Sequence, residues 1–267
     1  MLHTIENDQL SCTIESTGAE IRSLKDRRSG KEYIWQIKEH TWGSSSPVLF
    51  PAIGKIKEGK HTLDGKDYAM PKHGIIRNNA GLRFRQDGPA ACAFGLESSK
   101  ESLLQYPYRF SFAVEYALKD RSLSMNYLIE NQDSAPMHFA CGGHTAYACP
   151  IDEDTSLSDY LVEFPGEVEL QALTLGASGL LSSRKRSMLS GDSILPLSET
   201  LFDEDALVFA DVPFEWVRLR RRDALKGVVV RFEGYPHLAL WSKPGADFLC
   251  IEPWLGLPDA EDESTEI

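Results

Sequence analysis

Phe110-Ser111-Phe112-Ala113-Val114-Glu115-Tyr116-Ala117-Leu118-Lys119-Asp120-Arg121-Ser122-Leu123-Ser124-Met125-Asn126-Tyr127-Leu128-Ile129 decides the fold class. Large apolar residues stand at every second position from Phe110 to Leu118, with small or polar residues between them. Leu123, Met125, Tyr127 and Ile129 repeat the pattern after Lys119-Asp120-Arg121. Successive side chains of a strand point to opposite faces, so this period of two predicts a hairpin with one buried face. The same grammar recurs elsewhere. Thr62-Leu63-Asp64-Gly65-Lys66-Asp67-Tyr68 reads as a second hairpin, because Asp-Gly accepts the positive φ of a two-residue turn. Val217 and Leu219 alternate with arginines, Val228-Val229-Val230-Arg231-Phe232 is rich in β-branched residues, and His237-Leu238-Ala239-Leu240-Trp241 reads as a further strand.

Helical periodicity is almost absent. Ser98 to Tyr106 is the one stretch expected to form a short helix, stopped by Pro107. Many short strands with few helices predict an all-β sandwich or barrel. No repeat, low-complexity linker or break in composition divides the chain, so residues 1–267 are expected to form one large β-sandwich domain.

Composition narrows the class of function. The chain is 42% hydrophobic with a formal net charge of -12, which fits a packed core and repels polyanionic partners. Arg184-Lys185-Arg186 and Arg218-Leu219-Arg220-Arg221-Arg222 are read as solvated strand faces. No aromatic residue interleaves them to stack on bases, so no nucleic-acid partner is expected. Five cysteines without paired spacing argue against a disulfide framework and for the reducing cytoplasm. The N-terminus lacks the pattern of a signal peptide, and no apolar run is long enough to span a membrane. The acidic end, Asp259 to Ile267, is expected to be a loop or tail.

Three polar clusters beside glycine are the places to look for chemistry. They are Pro71-Lys72-His73-Gly74-Ile75-Ile76-Arg77, Cys141-Gly142-Gly143-His144-Thr145, and Trp241-Ser242-Lys243-Pro244 with Cys250-Ile251-Glu252-Pro253-Trp254. A glutamate in an apolar setting has a raised pKa and a histidine titrates near neutrality, so the two together can supply base and acid. Each also has a structural reading, as a hydrogen-bonded core histidine or a half-buried ion pair. Cys141, His144 and Cys149 lack a second ligand arm, and no metal is expected. Hydrolase elbows, P-loops and dinucleotide-binding motifs are absent. Glu252 with Asp205 is the pair a glycosidase would need.

These segments, in this order, resemble the aldose 1-epimerase (galactose mutarotase) family. The closer likeness is to its shorter bacterial branch, related to hexose-6-phosphate 1-epimerases. Ser16-Thr17-Gly18-Ala19-Glu20-Ile21-Arg22-Ser23-Leu24, Tyr33-Ile34-Trp35-Gln36, Ser46 to Lys55 and Leu201 to Phe209 extend the likeness over almost the whole chain. It implies a mutarotase-type β-sandwich with a sugar groove. Glu252 is similar to the family's general base, His144 to its general acid, and His73 to a second histidine that hydrogen-bonds the sugar. Asp205 stands where the family carries a hydroxyl-binding aspartate. Lys55 stands where sugar-specific members have arginine, a replacement that loses the planar fork. Arg77 follows the His-Gly motif as in the shorter branch, where an arginine meets a substrate phosphate. Thr145 and Tyr147 depart from the family's proline and phenylalanine. The chain also stops soon after Glu252, where relatives continue into closing strands.

The activity so implied is exchange of the α and β anomers of a hexose. Glu252 would take the C1 hydroxyl proton while a protonated His144 delivers one to the ring oxygen. Phe50, Trp42 or Trp254 would lie against the sugar's apolar face. No electron or group is transferred, so no cofactor is expected, and the partner is a small sugar or sugar phosphate. A hexose-6-phosphate 1-epimerase, with Arg77 and Lys55 or Lys72 as a clamp, and a non-catalytic sugar-binding protein are the alternatives.

Overall fold

The structure, a computed structural model, describes residues 1–38 and 40–262. The deciding hairpin forms as its alternation requires. Strands Phe110–Lys119 and Ser122–Asn131 pair antiparallel with Leu118 opposite Leu123 and Phe112 opposite Ile129. Asp120 takes the positive φ of the turn, at 51°. Phe110, Phe112, Val114, Tyr116 and Leu118 are all buried, whereas the residues between them are only partly covered. Ala91–Glu97 and Arg83–Gln86 extend this pair into a four-stranded sheet. Its buried face packs against residues of the three-stranded sheet Leu2–Glu6, Leu10–Glu15 and Glu20–Asp26, in a core that includes Ile5, Cys12, Ile14 and Phe94. The Asp64-Gly65 hairpin also forms, with φ of 50° and 73° at the two turn residues.

A ten-stranded sheet carries the rest of the chain. In order, Gly227–Arg231, Trp216–Arg221, Tyr160–Leu175, Leu207–Phe209, His237–Trp241, Phe248–Leu255, Cys141–Gly143 and Val48–Leu49 lie side by side. Thr145–Ala148 also pairs with Phe248–Leu255, and Leu181–Pro196 with Tyr160–Leu175. The sheets curl around two large apolar clusters, and Tyr147 and Tyr235 pack against both.

Three expectations need correction. Ser98 to Tyr106 forms only one 3₁₀ turn, Ser102–Leu104, because Pro107 leaves too little chain for a helix to repay its nucleation. The acidic end is not a free tail throughout. Ala260 bridges Leu181 in parallel, and Asp259 Oδ2 accepts from the Lys57 amide at 2.8 Å; residues 263–267 lie outside the described residues. The arginine run at 218–222 is not wholly solvated either, since Arg220 is buried and pairs with Glu163. Among the described residues no helix is long and apolar enough to cross a membrane.

One backbone contact sets the whole 71–77 segment. Gly74 has φ 79°, and a Cβ there would lie 2.1 Å from the Phe50 carbonyl oxygen. That closeness lets the Ile75 amide donate to Phe50 O at 2.8 Å and locks the loop to the strand end. Gly74→Ala is therefore expected to destabilise the fold by at least about 2 kcal/mol, measured by urea unfolding.

Candidate active site

The strand Phe248–Leu255 organises the site by simple alternation. Leu249 and Ile251 enter one large cluster, whereas Phe248 and Cys250 pack with Trp35, Trp42 and Trp241 on the opposite side. Glu252 shares that second face, two residues on from Cys250. On one flank Glu252 pairs with Ala239 of His237–Trp241. On the other flank the partner chain breaks: Gly142 pairs with Trp254, then Thr145 with Ile251. The register is the same on both sides of the break, so His144 falls directly opposite Glu252. The His144 amide leaves the ladder to donate to Pro47 O at 3.0 Å. Gly142 permits the close approach, because a Cβ there would lie 2.5 Å from the Pro253 carbonyl oxygen.

His144 Nδ1 consequently lies 3.3 Å from Glu252 Oε1. Both side chains are buried, at 8% and 1% residue exposure. Neither His144 Nδ1 nor Glu252 Oε2 has a hydrogen-bond partner among the described residues. Unsatisfied buried polar atoms cost stability and mark sites kept for something other than folding.

His73 completes the centre. Its ring stands edge-on to His144 at 5.4 Å between centroids. Backbone geometry aims it: φ is 69°, its amide donates to Gly54 O at 2.8 Å, and its Nδ1 accepts from the Gly54 amide at 3.1 Å. With Nδ1 an acceptor, the proton of the neutral ring sits on Nε2, a fixed donor.

Burial governs the protonation of all three. It pushes the His144 imidazole down to about 3, with the charges of Arg77 and Lys72 acting in the same direction. His73 is held well below its ordinary value by burial, then by His144, Lys72 and Arg77. The Glu252 carboxyl is pushed well above the usual carboxylate range by burial. Asp205 pushes it further up, while Lys72, Arg77 and the Trp254 indole oppose. The raised carboxyl agrees with the sequence reading, but a His144 protonated at rest does not. Burial thus favours the neutral imidazole, and of the two groups the carboxyl is the one it inclines to hold a proton.

The remaining expected residues divide into two groups. Arg77 is half-buried and reaches the centre electrostatically; its Nη2 donates to Ser44 Oγ at 3.3 Å and its buried Nε has no partner among the described residues. Asp205 is exposed, with φ 73° and its Oδ1 accepting from the Ala206 amide at 2.9 Å. Its charge is felt at Glu252. Lys55 instead donates from Nζ to Ser178 O at 2.6 Å, and so engages the 176–180 turn rather than these side chains. Of the three aromatic rings expected against the sugar, Phe50 and Trp254 are core residues at 0% and 4% exposure. Trp42 is half-buried with its ring 5.0 Å from that of His144, and Trp241 stands perpendicular to His144 at 5.7 Å.

One supporting residue escaped the sequence reading. Glu20 is buried and accepts from the amides of Ser45 and Ser46, and Arg22 Nη1 lies 3.1 Å from it. It pins the segment whose Pro47 carbonyl holds the His144 backbone. A glutamate closing Thr17-Gly18-Ala19-Glu20 was the available signal, though nothing local told its role.

Comparison with known proteins agrees with this architecture. The chain is 29% identical over 269 residues to the chromosomal protein LacX of Lactococcus lactis subsp. lactis, covering 97% of this chain and 89% of that protein. It is 30% identical to a galactose mutarotase related enzyme from Lactobacillus acidophilus. That structure superposes with a TM-score of 0.92, covering 100% of this chain and 89% of the other. A galactose mutarotase-like protein from Lactobacillus casei gives a TM-score of 0.91 at 30% identity, with 100% and 92% coverage. The curled antiparallel sheets are thus the galactose mutarotase-type β-sandwich. The sequence profile of aldose 1-epimerase matches residues 1–259, and the chain belongs to the aldose 1-epimerase family.

Proposed function

We propose that the protein interconverts the α and β anomers of a hexose by opening and reclosing its ring between Glu252 and His144. The observation that carries this reading is the 3.3 Å contact of two buried groups, each with a polar atom that has no hydrogen-bond partner among the described residues. Ring opening needs one proton removed from the C1 hydroxyl and one delivered to the ring oxygen. The pair supplies both from a neutral resting state. Glu252 passes its proton across the contact to His144 Nδ1, leaving a carboxylate and an imidazolium. The imidazolium gives its Nε2 proton to the ring oxygen as the carboxylate takes the C1 hydroxyl proton. The aldehyde rotates about C1–C2, and reclosure reverses the transfers on the other carbonyl face. Each positioned group contributes on the order of 10²–10⁴ in rate. The chemistry transfers no electron or group, so no cofactor enters it.

His73 Nε2 and Asp205 serve as donor and acceptor to sugar hydroxyls, and Trp42 offers a face to the sugar's C–H groups. The five cysteines are free, which suits the cytoplasm. Polarimetry of freshly dissolved α-glucose, α-galactose and glucose 6-phosphate tests the reading. Faster equilibration of at least one is expected, and only the spontaneous rate across a broad panel would leave a sugar-binding protein in its place.

A second reading, a hexose 6-phosphate as substrate, is favoured by one observation. Arg77 keeps an unpartnered Nε, and the exposed Lys72 acts on the same three residues. Charge-assisted bonds to phosphate are worth about 1.5–3 kcal/mol each. Arg77→Ala should then lower kcat/KM for glucose 6-phosphate by roughly 10–100-fold and for glucose far less. Equal losses on both sugars would make Arg77 a hydroxyl-binding or structural residue.

A further inference from the structure

Cys250 takes no part in the chemistry above, yet it lies against it. The residue sits two positions before Glu252 on the same face of its strand, opposite Ala146, and is wholly buried. One donor atom each from His144, Cys250 and Glu252 all lie within 4.8 Å of one another. Only His144 comes from the Cys141 to Cys149 segment that the sequence draws the eye to, and neither of that segment's cysteines takes part. His144 comes from one strand break, and the other two from alternate positions of the facing strand.

We propose that His144 Nδ1, the Cys250 thiolate and the Glu252 carboxylate form a binding site for a borderline-soft divalent cation of the zinc type, whose occupancy shuts down the His144–Glu252 pair.

The donor set selects the metal. One nitrogen, one sulfur and one oxygen suit zinc and disfavour calcium or magnesium, which take oxygen. A tetrahedral zinc with bonds of ~2.0–2.3 Å spaces its ligands about 3.3–3.8 Å apart. His144 Nδ1 and Glu252 Oε1 already stand at 3.3 Å. The remaining separations close by about 1 Å, within the reach of small side-chain torsions. Two of the three donors are buried groups with an atom that has no hydrogen-bond partner among the described residues, His144 Nδ1 and Glu252 Oε2. A cation satisfies both at once. Thiolate and carboxylate together carry two negative charges, which neutralise the dication in a setting where burial disfavours either charge alone. The thiol and carboxyl protons leave to solvent on binding. Three protein ligands leave a fourth position for water or a sugar hydroxyl.

Metal binding is independent of the epimerase reading; the inhibition rests on it. The test uses the metal-free protein and Co²⁺ or Zn²⁺ alone. Wild-type protein is expected to bind one Zn²⁺ per chain by calorimetry. With Co²⁺ it should show a thiolate-to-cobalt charge-transfer band and the visible bands of a tetrahedral site. Cys250→Ser should abolish the charge-transfer band and weaken Zn²⁺ at least tenfold, whereas Cys149→Ser should keep both. Should Cys250→Ser not fold, Cys250→Ala replaces it, and the wild-type cobalt spectrum already decides whether a thiolate is a ligand. A wild-type spectrum without that band overturns the site, as does Zn²⁺ affinity unchanged in a folded Cys250 variant. In polarimetry, saturating Zn²⁺ should stop the acceleration and EDTA restore it; unaltered acceleration at saturation overturns the inhibitory role. A cobalt signature in a protein that accelerates no sugar leaves the metal site standing and removes the epimerase reading instead.

Discussion

Glu252→Gln and His144→Asn are each expected to slow anomer exchange by roughly 10²–10⁴ while leaving the fold and sugar binding in place. Glutamine has the reach of glutamate but cannot take the C1 hydroxyl proton, and asparagine cannot carry a proton between Glu252 and the ring oxygen. Because one proton is relayed through both groups, the double variant should lose little more than either single one. The protonation of the free pair also shapes the pH profile. Activity requires a pair that holds one proton in total. At low pH the pair gains a second as His144 titrates, at about 3, and at high pH it loses its only one as the raised Glu252 carboxyl ionises. The acid limb therefore belongs to the imidazole and the alkaline limb to the carboxyl, and activity should persist well below the 6.5 of an ordinary histidine. An acid limb near 6.5 would mean that an ordinary histidine limits the rate. Circular dichroism and a sugar titration accompany the kinetics. A folded Glu252→Gln protein with a near-normal rate would remove Glu252 from the mechanism and make Asp205 the next base to examine.

The hairpins at 110–129 and 62–68 were legible because each is encoded locally, by alternation and by a turn residue that accepts positive φ. Glu252 and His144 were legible as candidates too, since a glutamate between apolar residues and a histidine after two glycines are conspicuous. Their relation was not. That His144 sits opposite Glu252 follows from a register continued across a strand break, and pairing between residues so far apart in sequence leaves no local mark. The misplaced aromatics have the same cause. Phe50 and Trp254 stand beside motif residues, but which face of a strand a ring occupies depends on what lies across from it, and both turned into the core. The helix expected before Pro107 failed because propensity over so short a stretch cannot repay nucleation. The neutral His144 was hidden for a third reason, since desolvation is a property of the folded surroundings and not of the residue.

The same desolvation makes the Glu252 carboxyl costly to keep, and that cost is measurable. An unfolded glutamate ionises near 4.5, whereas the folded carboxyl holds its proton to higher pH. Across that interval folding takes up a proton, so wild-type stability falls as pH rises, at a limiting slope of about 1.4 kcal/mol per pH unit. His144 acts in the opposite sense: between about 3 and 6.5 the unfolded ring is protonated and the folded one is not, so stability rises with pH and then levels off. The two slopes oppose each other between 4.5 and 6.5. Above 6.5 the His144 slope fades over about one pH unit, while the Glu252 slope lasts up to the raised pKa of its carboxyl. The lowered histidines at 3, 73 and 237 and the buried thiols, raised from 9.0, add slopes of their own, but wild type and Glu252→Gln share them and they cancel in the difference between the two. Urea unfolding of both proteins from pH 4.5 upward therefore isolates Glu252 in that difference. Glu252→Gln removes the titrating group and leaves a constant offset from its amide, so its curve lacks the Glu252 slope alone. The difference between variant and wild type should therefore grow in the variant's favour with pH, a direction opposite to that of its activity. Parallel curves for the two proteins would place Glu252 at an ordinary pKa. The resting proton would then belong to His144, and the relay would begin from a preformed ion pair.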